Sequence, residues 1–162
     1  YKKVDMDYPL EIAQIGLRNG VNQFHIVTSL GANAAALNPY LKLKGELENE
    51  LKKLSCSEGM VGTPAPAHSA VGGGTERLIK RHCYQSIHIY QPSYLVGDRK
   101  ENRIDDKIMK PLMRLIDPLL MGSLKKYKSM PAETLAKAMV NQSLKNLKGI
   151  FSYPSNQIKE LV

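Results

Sequence analysis

The 162-residue chain has no tryptophan, two phenylalanines and two cysteines. Two cysteines cannot staple a small secreted scaffold, so free thiols are the simplest expectation for Cys56 and Cys83. Joined by His68 and His82 they would make a four-ligand zinc set, but the gaps match no short knuckle and no metal site is expected. The sequence also lacks an apolar run long enough to span a bilayer and a leader-like start, which makes cytoplasmic, with no membrane partner, the default localisation. An initiating methionine is missing too, as in a fragment, an excised domain or a processed chain. A G-x-G-x-x-G turn is absent: the one Gly cluster, Gly72-Gly73-Gly74, follows Ser69-Ala70-Val71 instead of a strand, and reads as loop.

What is present is ordinary for a folded domain. Hydrophobic residues make up 43% and charged residues 23%, enough of each for one domain with its own core and a wet surface. The formal charge of +8 raises the question of a polyanionic partner. Lysines and arginines are interleaved with acids, however: Lys42, Lys44, Lys52 and Lys53 among Glu46, Glu48 and Glu50, and Arg99 to Lys107 among Glu101, Asp105 and Asp106. Lys125-Lys126-Tyr127-Lys128 is the cleaner basic patch. No recognition helix, basic-aromatic sheet motif or zinc finger accompanies it, so nucleic acid is not the expected partner.

Periodicity alternates helix and strand. Asp7-Tyr8-Pro9 opens a helix through Leu17 that stops at Asn19-Gly20. Phe24-His25-Ile26-Val27-Thr28-Ser29 is a strand rich in β-branched residues, suited to a sheet covered on both faces. Asn38 caps a helix from Pro39 to about Leu54, with Leu43, Leu47, Leu51 and Leu54 as its apolar stripe and Glu48 and Lys52 paired on the wet side. Ile87 and Ile89 mark a further strand, followed by a turn at Pro92-Ser93-Tyr94. Residues 104–121 repeat at helical spacing around Pro111 and Pro118, Pro131 opens another helix, and Ile150 to Tyr153 is a last strand before a terminal helix starting at Pro154-Ser155. This alternation predicts an α/β fold with a parallel sheet.

One stretch suggests chemistry. The strand delivers Ser29 at its carboxyl end, and the next helix carries Tyr40 and Lys44 four residues apart, on one face. A tyrosine titrates near ~10 and is a poor acid or base at neutral pH unless a cation stabilises its phenolate. Lys44 is spaced to do so, and a serine hydroxyl can hold a carbonyl or alkoxide oxygen while the tyrosine gives or takes a proton. The pair alone is more often a packed ring beside a solvated amine; the serine, the glycine turn and the pair together point to carbonyl/alcohol chemistry.

The run Phe24 to Glu46, FHIVTSLGANAAALNPYLKLKGE, resembles the catalytic segment of the short-chain dehydrogenase/reductase superfamily. Within it the likeness is to the atypical NmrA-like, NAD(P)H-binding group that includes the Tat-interactive protein. Ile87 to Arg99 resembles that group's next strand and cofactor loop, and Gly149 to Leu161 its closing strand and helix. The resemblance implies a Rossmann-type sheet with NADP or NAD as cofactor and a small carbonyl/alcohol substrate. It further implies Ser29, Tyr40 and Lys44 as catalytic residues, and Tyr40, Lys44, Pro92, Ser93 and Tyr94 at the nicotinamide dinucleotide. It places the chain in the carboxyl-terminal part of such a protein, with the first strands and Gly-rich turn missing, so this piece alone would be inactive and prone to self-association. An oxidoreductase or a sugar-nucleotide epimerase-like enzyme fits the parent protein. The alternative is a non-catalytic nucleotide-sensing or protein-interaction module on the same fold.

Residues 55–85 depart from that pattern. They replace a connection of a few residues with a stretch rich in Gly, Pro, Ala and Ser, ending in the basic run Thr75 to His82. The expectation is one α/β domain over 1–162 with a flexible surface insertion at 55–85.

Overall fold

A computed structural model of the chain describes residues 2–56, 83–96 and 127–162. The Gly72 to Gly74 cluster, the basic run ending at His82, the candidate ligands His68 and His82, the 104–121 helical pattern and Lys125-Lys126 lie outside the described residues.

Helix α1 spans Tyr8–Arg18, with Pro9 in the first turn, where a missing N–H leaves no bond unmade. Gly20, at φ 78°, takes the left-handed backbone that ends helices. Asp7 does not cap the helix; Lys3–Asp7 form a π-helical turn that runs directly into α1. Strand β1 is Gln23–Val27. Helix α2, Pro39–Lys52, starts where Asn38 Oδ1 accepts the N–H groups of Tyr40 (2.9 Å) and Leu41 (3.2 Å). Strand β2 is Ser86–Gln91. The two-residue strands β3, Leu95–Val96, and β4, Met130–Pro131, pair in parallel. Helix α3, Ala132–Ser143, leads to β5, Gly149–Pro154, then the short α4, Ser155–Ile158, and a 3-10 turn, Lys159–Leu161.

The main sheet is parallel, in the order β1-β2-β5. Side chains alternate across it. One face, Phe24, Ile26, Ile87 and Ile89, packs with Leu10, Ala13 and Leu17 of α1, Leu47 and Leu51 of α2, and Tyr84. The other, Val27, Tyr90, Phe151 and Tyr153, meets Leu135, Ala138 and Met139 of α3, then Ile158 and Leu161. The register also brings His25 opposite His88 on this second face. Their rings stack at 4.3 Å between centroids. His88 Nδ1 bonds the Tyr153 hydroxyl (3.0 Å) and Nε2 the Ser86 hydroxyl (3.1 Å), while His25 Nδ1 meets the Tyr90 hydroxyl (3.2 Å). A parallel sheet with helices on both faces is the expected α/β, Rossmann-like class.

Two expectations require correction. Cys56 and Cys83 are not free thiols but a disulfide, with Cα atoms 5.1 Å apart. The chain on either side explains why: Ser55 and Tyr84 form a β-bridge, Cys56 N donates to Tyr84 O (2.8 Å), and Tyr84 N donates to Leu54 O (2.7 Å). Glu48, expected on the wet side of α2, is buried, because donors from two strand ends converge on it; Lys52 still reaches it at 4.0 Å. Of residues 55–85, 57–82 lie outside the described residues. Tyr84, near the end of that range, is core: its hydroxyl donates to Ala13 O (2.6 Å) and its ring packs on Phe24.

Candidate functional site

Thr28 prolongs β1 by donating its N–H to Tyr90 O (2.8 Å), and Ser29 follows, half-buried. The loop after it turns at Gly31 (φ 83°) and is laid along α2. Asn33 N donates to Leu41 O (3.1 Å), and Gly45 leaves room that any side chain would fill, since a Cβ there would run into the backbone of Asn33 and Ala34. The loop that begins at Ser29 therefore rests on the turn of α2 that carries Tyr40 and Lys44. Leu30 N donates to Pro92 O (3.0 Å), joining it to the loop after β2. Both loops leave the carboxyl ends of parallel strands, where open α/β sheets bind ligands.

Tyr40 is 44% exposed. Lys44 is 7% exposed, with Nζ 5.7 Å from the centre of the Tyr40 ring. The ammonium also pairs with Asp5 Oδ1 at 2.8 Å, a carboxylate supplied by the π-helical turn. In the second loop Pro92 is buried, and the Ser93 hydroxyl is turned inward, donating to Lys128 O (2.6 Å) and meeting Ser155 Oγ (3.0 Å). Tyr94 O accepts the Met130 N–H (3.0 Å). Tyr40, Lys44, the Ser29 loop and Pro92 thus form one region, while the Ser93 side chain faces α4.

Asp5, Thr28, Glu48 and Gln91, none of them a predicted site residue, also join this region. Glu48 Oε1 accepts the Thr28 hydroxyl (2.6 Å), and both carboxylate oxygens accept Gln91 Nε2 (2.9 and 3.0 Å). A signal existed for Glu48, which continues the four-residue spacing of Tyr40 and Lys44. None existed for Asp5, whose partner is distant in sequence. Among the described residues no group of His, Cys, Asp and Glu is placed to hold a metal ion.

A Rossmann-like sheet with this helix at the carboxyl ends of its strands defines the class of protein. No protein-family profile matches the chain. Among curated proteins it is similar to "Protein fmp52, mitochondrial" of Aspergillus niger, 25% identical over 147 residues, which cover 91% of this chain and 50% of that protein. It is similar also to "Protein HTATIP2" of Rattus norvegicus, 23% identical over 142 residues, 87% of this chain and 45% of that one. A shorter match, 37% over 62 residues, links 38% of the chain to 28% of "Protein FMP52, mitochondrial" of Kluyveromyces lactis. The chain spans half or less of the length of these relatives. The likenesses to the Aspergillus and rat proteins extend over most of the chain. They also overturn the cytoplasmic default, which rested only on missing signals, because the fungal relatives are named mitochondrial. Among the described residues no helix is long and apolar enough to cross a membrane.

Proposed function

We propose that the protein carrying this chain binds NADP(H) or NAD(H) and interconverts a carbonyl and an alcohol. The observation that carries this reading is the position of Tyr40, half exposed with the Lys44 ammonium over its ring, in contrast to the fully buried Leu47 and Leu51. Lys44, beside the half-exposed Tyr40 ring, suits the ribose end of a dinucleotide, and the Pro92 loop borders the same region. When bound, the nicotinamide supplies or accepts a hydride. In the reducing direction the Ser29 hydroxyl donates a hydrogen bond to the substrate carbonyl oxygen, and the Tyr40 hydroxyl delivers its proton to that oxygen. The Lys44 ammonium favours the phenolate left behind. In the oxidising direction the phenolate takes the proton back. By the same likeness to the fungal relatives, we place the protein at the mitochondrion.

One observation favours a second reading, a non-catalytic nucleotide-sensing module: the Lys44 ammonium is already paired with Asp5. The two readings part in the complete gene product with NADPH and an aromatic ortho-quinone as probes. If the enzyme reading holds, Tyr40→Phe lowers turnover by at least the ~10²-fold of a general acid, leaving NADPH affinity largely intact, and Lys44→Met weakens both. NADPH binding with turnover unaltered by Tyr40→Phe removes the catalytic assignment; binding without turnover selects the sensing module.

A further inference from the structure

The chemistry above leaves one buried ionisable group unused. Glu48 lies one turn beyond Lys44 and two beyond Tyr40, so the three side chains occupy one face of α2. It is 4% exposed. A carboxylate so far from water is strongly unfavourable unless its lone pairs are taken. Here the Thr28 hydroxyl donates to Oε1 at 2.6 Å, Gln91 Nε2 reaches both oxygens at 2.9 and 3.0 Å, and the Lys52 ammonium stands 4.0 Å away. Apolar side chains of the same volume would join helix to sheet at least as well. What the carboxylate adds is direction, because two donors from different strands must meet at one planar group.

The donors themselves show what is being directed. Thr28 immediately precedes Ser29, and Gln91 immediately precedes Pro92. The Leu30 to Pro92 hydrogen bond then locks the two loops to each other. We propose that Glu48 is a positioning residue: through Thr28 it sets where the Ser29 hydroxyl stands, and through Gln91 where the Pro92–Tyr94 loop stands, relative to Tyr40 and Lys44. The inference rests on the proposed function, and its two arms bear on different quantities. The Thr28 arm governs the orientation of the carbonyl, and the Gln91 arm governs the grip on the nucleotide.

The test uses the complete gene product with NADPH as the binding probe and phenanthrenequinone as the carbonyl probe. Thr28→Val removes one hydroxyl with little change of shape, and is expected to lower kcat about tenfold or more while NADPH affinity stays within about twofold, since a small misplacement of a reacting partner is enough for such a loss. Gln91→Leu is expected to do the reverse, weakening NADPH about tenfold by calorimetry with kcat at saturating NADPH nearly unchanged. Glu48→Gln should show both effects, and adding Thr28→Val to it should cost little more in kcat, because the two act through one contact. If Thr28→Val and Gln91→Leu lower only the melting temperature, with kcat and affinity at wild-type values, Glu48 is a structural tie and the inference fails while the proposed function stands. The Gln91 arm is read from affinity alone and needs no turnover. A wild-type protein that binds no NADPH removes the proposed function, and the positioning role with it.

Discussion

His25 and His88 stand face to face in the sheet, bonded to hydroxyl groups and an amide, with no carboxylate among those partners. His88 is wholly buried, and burial, followed by the charge His25 would carry, holds its imidazole down to about 4; burial lowers His25 as well. In the unfolded chain both titrate near ~6.5. Between that value and the folded one the unfolded state binds protons that the fold refuses, so stability is complete above the window and falls as pH drops through it. For His88 the loss is at most about 3 kcal/mol. Urea midpoints should therefore decline between about pH 6.5 and pH 4, and His88→Phe, though less stable at neutral pH, should show a shallower decline. An equal slope in that variant would mean that other groups set the acid limit. Nothing in the local run Phe24 to Thr28 announces this pair, because it arises from register between strands far apart in sequence.

Among the elements, those with local causes were legible and those with distant causes were not. Asn38 before Pro39 marks the start of α2 because cap and first turn are neighbours, and the four-residue spacing puts Tyr40 and Lys44 on one face by helical geometry alone. The wetness assigned to Glu48 followed the same local rule and misled, since its partners Thr28 and Gln91 come from other elements. The cysteines misled for a related reason: a separation of 27 residues hides ends that the sheet brings together. The bridge that joins α2 to β2 carries a prediction. In the loop-closure picture a cross-link of this length contributes about 3–4 kcal/mol, so Cys56→Ser with Cys83→Ser should unfold at lower denaturant yet still fold, as the Ser55 and Tyr84 pairing survives. Reductant should bring the wild-type protein to the same midpoint. A midpoint indifferent to both treatments would show that the thiols are unpaired in solution.

At the scale of the whole molecule, β1 and β5 each pair only with β2 in the main sheet, leaving two edges among the described residues. Ile12 and Ile15 of α1, and Val140 and Leu144 of the α3 region, add exposed apolar surface. Residues 1–162 produced alone should therefore self-associate, and with no G-x-G-x-x-G motif in their sequence they should hold NADPH weakly, several kcal/mol short of a micromolar complex. Sedimentation of a monomer that binds NADPH at micromolar strength would refute this. The sheet has another consequence, of a spectroscopic kind. With eight tyrosines and no tryptophan, phenol rings carry the near-ultraviolet signal. Tyr84 lies with Phe24 and aliphatic side chains beneath α1 and α2, whereas Tyr90 and Tyr153 lie on the opposite face beneath α3. Tyr84→Phe silences a chromophore on one side and Tyr153→Phe on the other, so the molecule carries its own optical label for each face, and the melting of one layer can be told from that of its neighbour without any dye.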